Sequence, residues 1–143
     1  LQRIKEAVRL APSACGRQPY RFLVVTNPEV RENIYRCYPN VWLKEAPMVI
    51  VACGNAEESW HRFDGQPAVD LDLGIAMEHL VLAAAAEDLG TCWICAFDVD
   101  EMTKAVHLES PWRALAITPV GYAKSEPRPL LRKETEDLFT AVK

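Results

Sequence analysis

The stretch Val69-Asp70-Leu71-Asp72-Leu73-Gly74-Ile75-Ala76-Met77-Glu78-His79-Leu80-Val81-Leu82-Ala83-Ala84-Ala85-Ala86-Glu87-Asp88-Leu89 decides how the rest of the chain must be arranged. It contains no proline and only one glycine, so it predicts a single long helix. From Ile75 through the four alanines it is apolar nearly all round. A helix with no polar stripe has to be covered by other elements, so this one belongs at the centre of a core. Asp70 and Asp72 lie near its start, where carboxylates complement the helix dipole. Gly90 is placed to cap its C-terminus.

Working outward, Thr91–Phe97 reads as a strand. Asp98 or Asp100 can cap a short helix reaching about Leu108, and Ala114–Tyr122 reads as a last strand. On the upstream side, residues 54–68 carry Gly54, Asn55, Gly65 and Pro67 and read as a loop. Before it, Met48-Val49-Ile50-Val51-Ala52-Cys53 is a continuous apolar run, as expected of a strand buried on both faces. Pro28 suits the first turn of a helix ending near Cys37, and Tyr20–Val25 is aromatic and branched, hence a strand. Residues 2–10 set Ile4, Ala7, Val8 and Ala11 on one helical face. Pro12 and Ser13 end that helix, and a turn follows through Gly16 to Pro19. Helices alternating with about four strands predict a helix–sheet–helix sandwich in a single domain over residues 1–143.

Composition narrows the function classes. Twenty acidic against sixteen basic residues give a net charge of −4 in 143 residues. That balance argues against a general electrostatic grip on nucleic acid or an anionic membrane. The longest apolar run, Leu80–Ala86, falls far short of the roughly 20 residues that cross a bilayer. The opening Leu-Gln-Arg-Ile-Lys-Glu is amphipathic and unlike a signal peptide. With no initiator Met, residue 1 is not expected to be the natural start. Five cysteines (Cys15, Cys37, Cys53, Cys92, Cys95), odd in number and irregularly spaced, favour a reduced, cytoplasmic protein over a disulfide framework.

Three blocks carry a resemblance. The first is Ala11-Pro12-Ser13-Ala14-Cys15-Gly16-Arg17-Gln18-Pro19-Tyr20-Arg21-Phe22. The second is Asp72-Leu73-Gly74-Ile75-Ala76-Met77-Glu78-His79-Leu80, continuing through Leu89-Gly90-Thr91-Cys92-Trp93-Ile94-Cys95-Ala96-Phe97-Asp98. The third is Thr118-Pro119-Val120-Gly121-Tyr122 with the basic tail after it. In order and spacing the chain resembles the nitroreductase family over about residues 2 to 135. The resemblance implies an α+β sandwich around a mixed, mostly antiparallel sheet, and a homodimer with FMN at its interface. It also implies electron transfer from NADH or NADPH through the flavin to nitroaromatic, quinone or similar small-molecule acceptors. In such enzymes the flavin carries the chemistry, so no catalytic side chain is expected.

Carried over position by position, the resemblance implies that Pro12, Ser13 and Ala14 line the flavin from the partner chain, and that Gln18 hydrogen-bonds the flavin or its ribityl chain. The backbone at Cys95 and Ala96 faces the reactive flavin edge. Arg132, with Lys133 or Arg128, pairs the phosphate, which suits a guanidinium fork. Two departures stand out. Gly16 occupies the position of a family asparagine. The family's basic Arg-Arg-Ser-x-Arg-like segment would precede residue 1, so the expectation is an N-terminally truncated member. Each missing charge-assisted hydrogen bond would weaken flavin binding by roughly 1.5–3 kcal/mol.

Other features have plainer readings. Cys92-Trp93-Ile94-Cys95 has the spacing of a redox or metal pair, but inside a strand its thiols point apart, and no second ligand pair completes a zinc site. Buried, inert thiols are the expectation. His61, His79 and His107 are scattered and read as structural. Trp93 and Trp112 read as core or interface packing residues, while the resemblance implies that Trp60 and His61 lie in the loop where relatives often build the substrate side of the pocket. Three functions compete: the flavin enzyme, a flavin-poor degenerate relative with a binding or structural role, and a thiol–disulfide oxidoreductase using Cys92 and Cys95.

Overall fold

The computed structural model describes residues 1–142. Helix α1 (Gln2–Leu10) leads to strand β1 (Tyr20–Val25), helix α2 (Pro28–Cys37) and strand β2 (Met48–Asn55). The long helix α3 (Val69–Ala85) follows, then β3 (Gly90–Thr91), α4 (Val99–Ala105), β4 (Trp112–Gly121) and a last turn of helix, α5 (Thr135–Leu138). The four strands form one sheet in the order β1-β2-β4-β3, and all three ladders among the described residues are antiparallel.

Side-chain alternation along β2 builds two cores at once. Val49, Val51 and Cys53 pack with Ile34, Tyr35, Met102 and Val106 under α2 and α4. Ile50 and Ala52 pack with Ile4, Leu73, Met77 and Leu80 under α1 and α3. This is why the run lacks polar residues: neither face of β2 sees water. Gly54, at its end, lets α3 start close to the sheet. A Cβ there would lie 2.6 Å from Leu115 Cδ1 and 2.7 Å from Val69 Cγ2.

Two helix N-termini, those of α2 and α4, follow their capping chemistry. The Asn27 side chain accepts from the Glu29 and Val30 amides at α2, and Asp98 accepts from the Glu101 amide at α4. Two expectations are corrected downstream. Helix α3 stops at Ala85, because residues 86–88 turn and Asp88 takes φ 57°, so Gly90 is no cap. Gly90 instead opens β3, pairing with Gly121. The strand expected over Thr91–Phe97 shrinks to Gly90–Thr91 plus an isolated bridge between Ile94 and Ile117. Buried Ile94 keeps that segment against the sheet while its neighbours stay exposed. No helix among the described residues is long and apolar enough to cross a membrane.

Candidate functional site

The loop between α1 and β1 is closely specified by its contacts. Cys15, Gly16 and Gln18 all have positive φ, at 52°, 64° and 47°. For a residue with a Cβ this costs about 1–3 kcal/mol and persists only where surrounding contacts enforce it. Here they do. Ser13 Oγ accepts from the Gln18 amide at 2.8 Å, and Ser13 O accepts from the Gly16 amide at 2.9 Å. Gln18 Nε2 donates to Arg9 O at 3.0 Å and to the Tyr20 hydroxyl at 3.3 Å. Tyr20 in turn donates to Ala11 O at 3.3 Å. Burial pushes the Tyr20 phenol above its ordinary pKa, the Gln18 hydrogen bond opposes this, and the charge of Asp72 adds to it.

From the far side, Asp72 Oδ1 accepts the Ala14 amide at 2.8 Å. The expectation that Asp72 merely caps α3 is therefore corrected: it is 3 % exposed and ties the head of α3 to the loop. Gly16 also gains a reason. A Cβ at residue 16 would meet nothing within 4 Å, so backbone conformation and not space selects the residue. Asparagine is among the residues most tolerant of that conformation after glycine. Gly16 thus keeps the backbone path and gives up only a side-chain amide.

The second segment is held by the Ile94–Ile117 bridge. Trp93 and Cys95 flank Ile94 and share one side, with Trp93 Nε1 donating to Cys95 Sγ at 3.2 Å. Cys92 and Cys95 are both exposed, which overturns the expectation of burial. Trp93 is 42 % exposed in the single chain, so of the core or interface packing expected of it the core alternative does not hold; its ring approaches α3 at Gly74. Trp112 does pack, with the Arg21 guanidinium 4.2 Å over its ring. Ala14 and Trp93 thus both reach the first turns of α3, at Asp72 and Gly74. Two residues along a helix is roughly 200° around its axis, so they flank different sides of it.

The family profile of nitroreductases matches residues 1–38 and 34–122. This chain belongs to the nitroreductase family. At family level that makes it a flavin oxidoreductase. A Methanothermobacter thermautotrophicus protein with the provisional name NADH dehydrogenase/NAD(P)H nitroreductase is 27% identical over 144 residues, covering 97% of this chain and 70% of its own. A nitroreductase family protein of Clostridium novyi NT has a structure similar to this one at TM-score 0.78 and 36% identity, over 86% of this chain and 73% of that one. An FMN-dependent nitroreductase of Clostridium difficile R20291 is similar at TM-score 0.74 and 25% identity, over 95% and 80%.

As a member of that family, the chain offers a polar cradle at its first loop. Pro12 is exposed, and Ser13 and Ala14 are half-buried. The Ser13 hydroxyl already accepts from Gln18, so its own proton is free to donate. The Gln18 amide nitrogen is committed to Arg9 and Tyr20, which leaves Oε1 as an acceptor. These groups fit the edges of a flavin ring, which carries both donors and acceptors. At the second segment, Cys95 and Ala96 are exposed, and Cys95 O accepts from the Phe97 amide at 2.9 Å. Arg132 and Lys133 lie in the exposed tail, where Arg132 Nη1 donates to Leu131 O at 3.5 Å. The structure does not bring them to the Pro12–Ala14 loop within one chain.

Two neighbouring features escaped the sequence reading. Arg17 Nη1 donates to Ser59 O at 2.9 Å, tying the loop to a hairpin over residues 60–68. That hairpin is closed by the His61–Pro67 bridge and raises a fully exposed Phe63. His79 Nδ1 lies 2.9 Å from Ile75 O, in keeping with a structural role. Among the described residues, no three His, Cys, Asp or Glu side chains form a metal-binding group.

Proposed function

We propose that this chain is an FMN-dependent oxidoreductase that passes electrons from NADH or NADPH to nitroaromatics, quinones or similar small acceptors, working as a homodimer in the reduced cytoplasm. The observation that carries the reading is the clamped loop from Ala11 to Gln18, held in a strained conformation by bonds from α1, β1 and α3. Loops that retain such strain cluster at ligand sites, where pre-organisation spares the ligand the cost of ordering them. The likeness to the FMN-dependent nitroreductase of Clostridium difficile R20291 supports the choice of flavin.

FMN, when bound, supplies hydride acceptance from the nicotinamide and electron release to the acceptor. The protein's contribution is binding and orientation. Pro12, Ser13 and Ala14 supply a shaped wall, Ser13 a donor and Gln18 Oε1 an acceptor. The exposed Cys95–Ala96 segment allows close approach to the reactive edge, with Trp93 beside it. Arg132 and Lys133 hold the phosphate. The partner chain enters because the two segments flank different sides of α3, so one flavin draws on the Ala14 loop of one chain and the Cys95 segment of the other. Trp60 and His61 border the acceptor side.

The test is an absorbance spectrum of the protein after incubation with FMN and desalting, followed by NADH and NADPH oxidation assays with a nitro acceptor. Retained flavin absorbance with acceptor-dependent turnover is the expected result. A colourless protein would favour the second reading, a flavin-poor relative with a binding or structural role, for which Gly16 at the family's asparagine position is the specific observation.

A further inference from the structure

Asp72 is the only charged side chain among the described residues that is buried, at 3 % exposure. Its Oδ1 holds the Ala14 amide at 2.8 Å, while its Oδ2 is buried with no hydrogen-bond partner. The tether alone does not account for this residue. An asparagine would present the same acceptor oxygen without a charge, and a buried, half-satisfied carboxylate is costly. The charge itself is therefore the feature to explain. It sits one hydrogen bond from the loop that lines the proposed flavin site.

We infer that Asp72 is a positioning residue with two effects: it fixes the Pro12–Ala14 loop for flavin, and its charge disfavours reduced flavin relative to oxidised flavin. The inference rests on the FMN reading above. Reduction of the flavin adds negative charge to the site, and a fixed carboxylate nearby opposes that addition. The reduced flavin is then a stronger donor, which suits an enzyme that must hand its electrons on.

The experiment compares the FMN-loaded wild type with D72N and D72A. It reads oxidised-FMN affinity by fluorescence quenching, the midpoint potential by dye equilibration, and amide hydrogen exchange at Ala14. D72N keeps the acceptor and loses the charge. Its Ala14 amide stays protected, and its preference for reduced over oxidised FMN rises about tenfold, which is about 30 mV upward for a two-electron couple. D72A loses the tether. Its Ala14 amide exchanges faster while Met77 and Leu80 in α3 remain protected, and oxidised FMN binds about tenfold more weakly, as for one lost hydrogen bond. Should D72A fail to fold, D72S, whose shorter hydroxyl does not span to Ala14, takes its place. An unchanged midpoint in D72N overturns the charge effect. Unchanged Ala14 exchange and affinity in the tether variant overturn the positioning effect. A wild type that binds no FMN defeats the functional reading itself, an outcome distinct from either of these.

Discussion

At the scale of single residues, backbone conformation and burial make sharp predictions. Gly16 stands at φ 64° in open space. Replacing it with alanine should cost about 1 kcal/mol, whereas asparagine should cost only a few tenths, because its short amide tolerates that region. Urea-unfolding midpoints of the two variants check this, and equal losses would mean that space and not conformation governs the site. Cys53 gives a pH prediction. Burial pushes its thiol from 9.0 up to about 12, with Arg21 pulling slightly the other way. A pKa raised on folding means that the native state keeps its proton where the unfolded chain has lost it. Stability is then unaffected below pH 9.0 and falls as pH rises from 9.0 toward about 12, by an amount on the order of a few kcal/mol. Cys53→Ala should remove that alkaline component from a pH series of unfolding curves while leaving the neutral-pH slope unchanged. Asp72 belongs to this scale as well. Its position in the sequence marks it as a helix-start carboxylate, and only the fold reveals that the Ala14 amide, 58 residues away, is its partner.

At the scale of elements, local rules read well where local chemistry decides. Pro28 starts α2, and Asn27 caps it by accepting from two amides. Asn27→Ala should lose about 1 kcal/mol, measurable by thermal or urea unfolding, with no change in flavin binding. The apolar run of β2 was legible because the strand is covered on both faces, and the residues record it. Legibility failed around Gly90. A glycine after a helical run suggests a cap, yet the helix ends at Ala85 and Gly90 pairs in the sheet instead. The segment Thr91–Phe97 read as a full strand, but β4 offers pairing only at Gly90, Thr91 and Ile94. Without that pairing Cys92 and Cys95 stay exposed, so an expectation drawn from strand burial did not hold.

At the scale of the whole molecule, α3 remains only partly covered by its own chain. Leu71, Ile75 and Leu82 are 57%, 39% and 61% exposed on the helix whose other side fills the core. Apolar exposure on this scale marks an interaction surface, and a second copy completing the flavin site is the occupant consistent with the proposed function. Leu82→Lys should shift the sedimentation coefficient from dimer toward monomer and weaken FMN retention in parallel. A wild type that sediments as a monomer would sink the dimeric site, and with it the sharing of one flavin between the Ala14 loop and the Cys95 segment.

The sequence by itself determined most of the elements, the helix–sheet–helix layering and the family, because hydrophobic periodicity, caps and the three motif blocks are properties of neighbours along the chain. It also marked the Pro12–Gln18 loop. It could not reveal that this loop is strained, that Asp72 clamps it, or that Trp93 and Cys95 turn to the surface beside α3. Those facts depend on which groups meet across 58 residues or across the sheet, and long-range hydrogen bonds and the coverage of each face are decided only when the whole chain has packed.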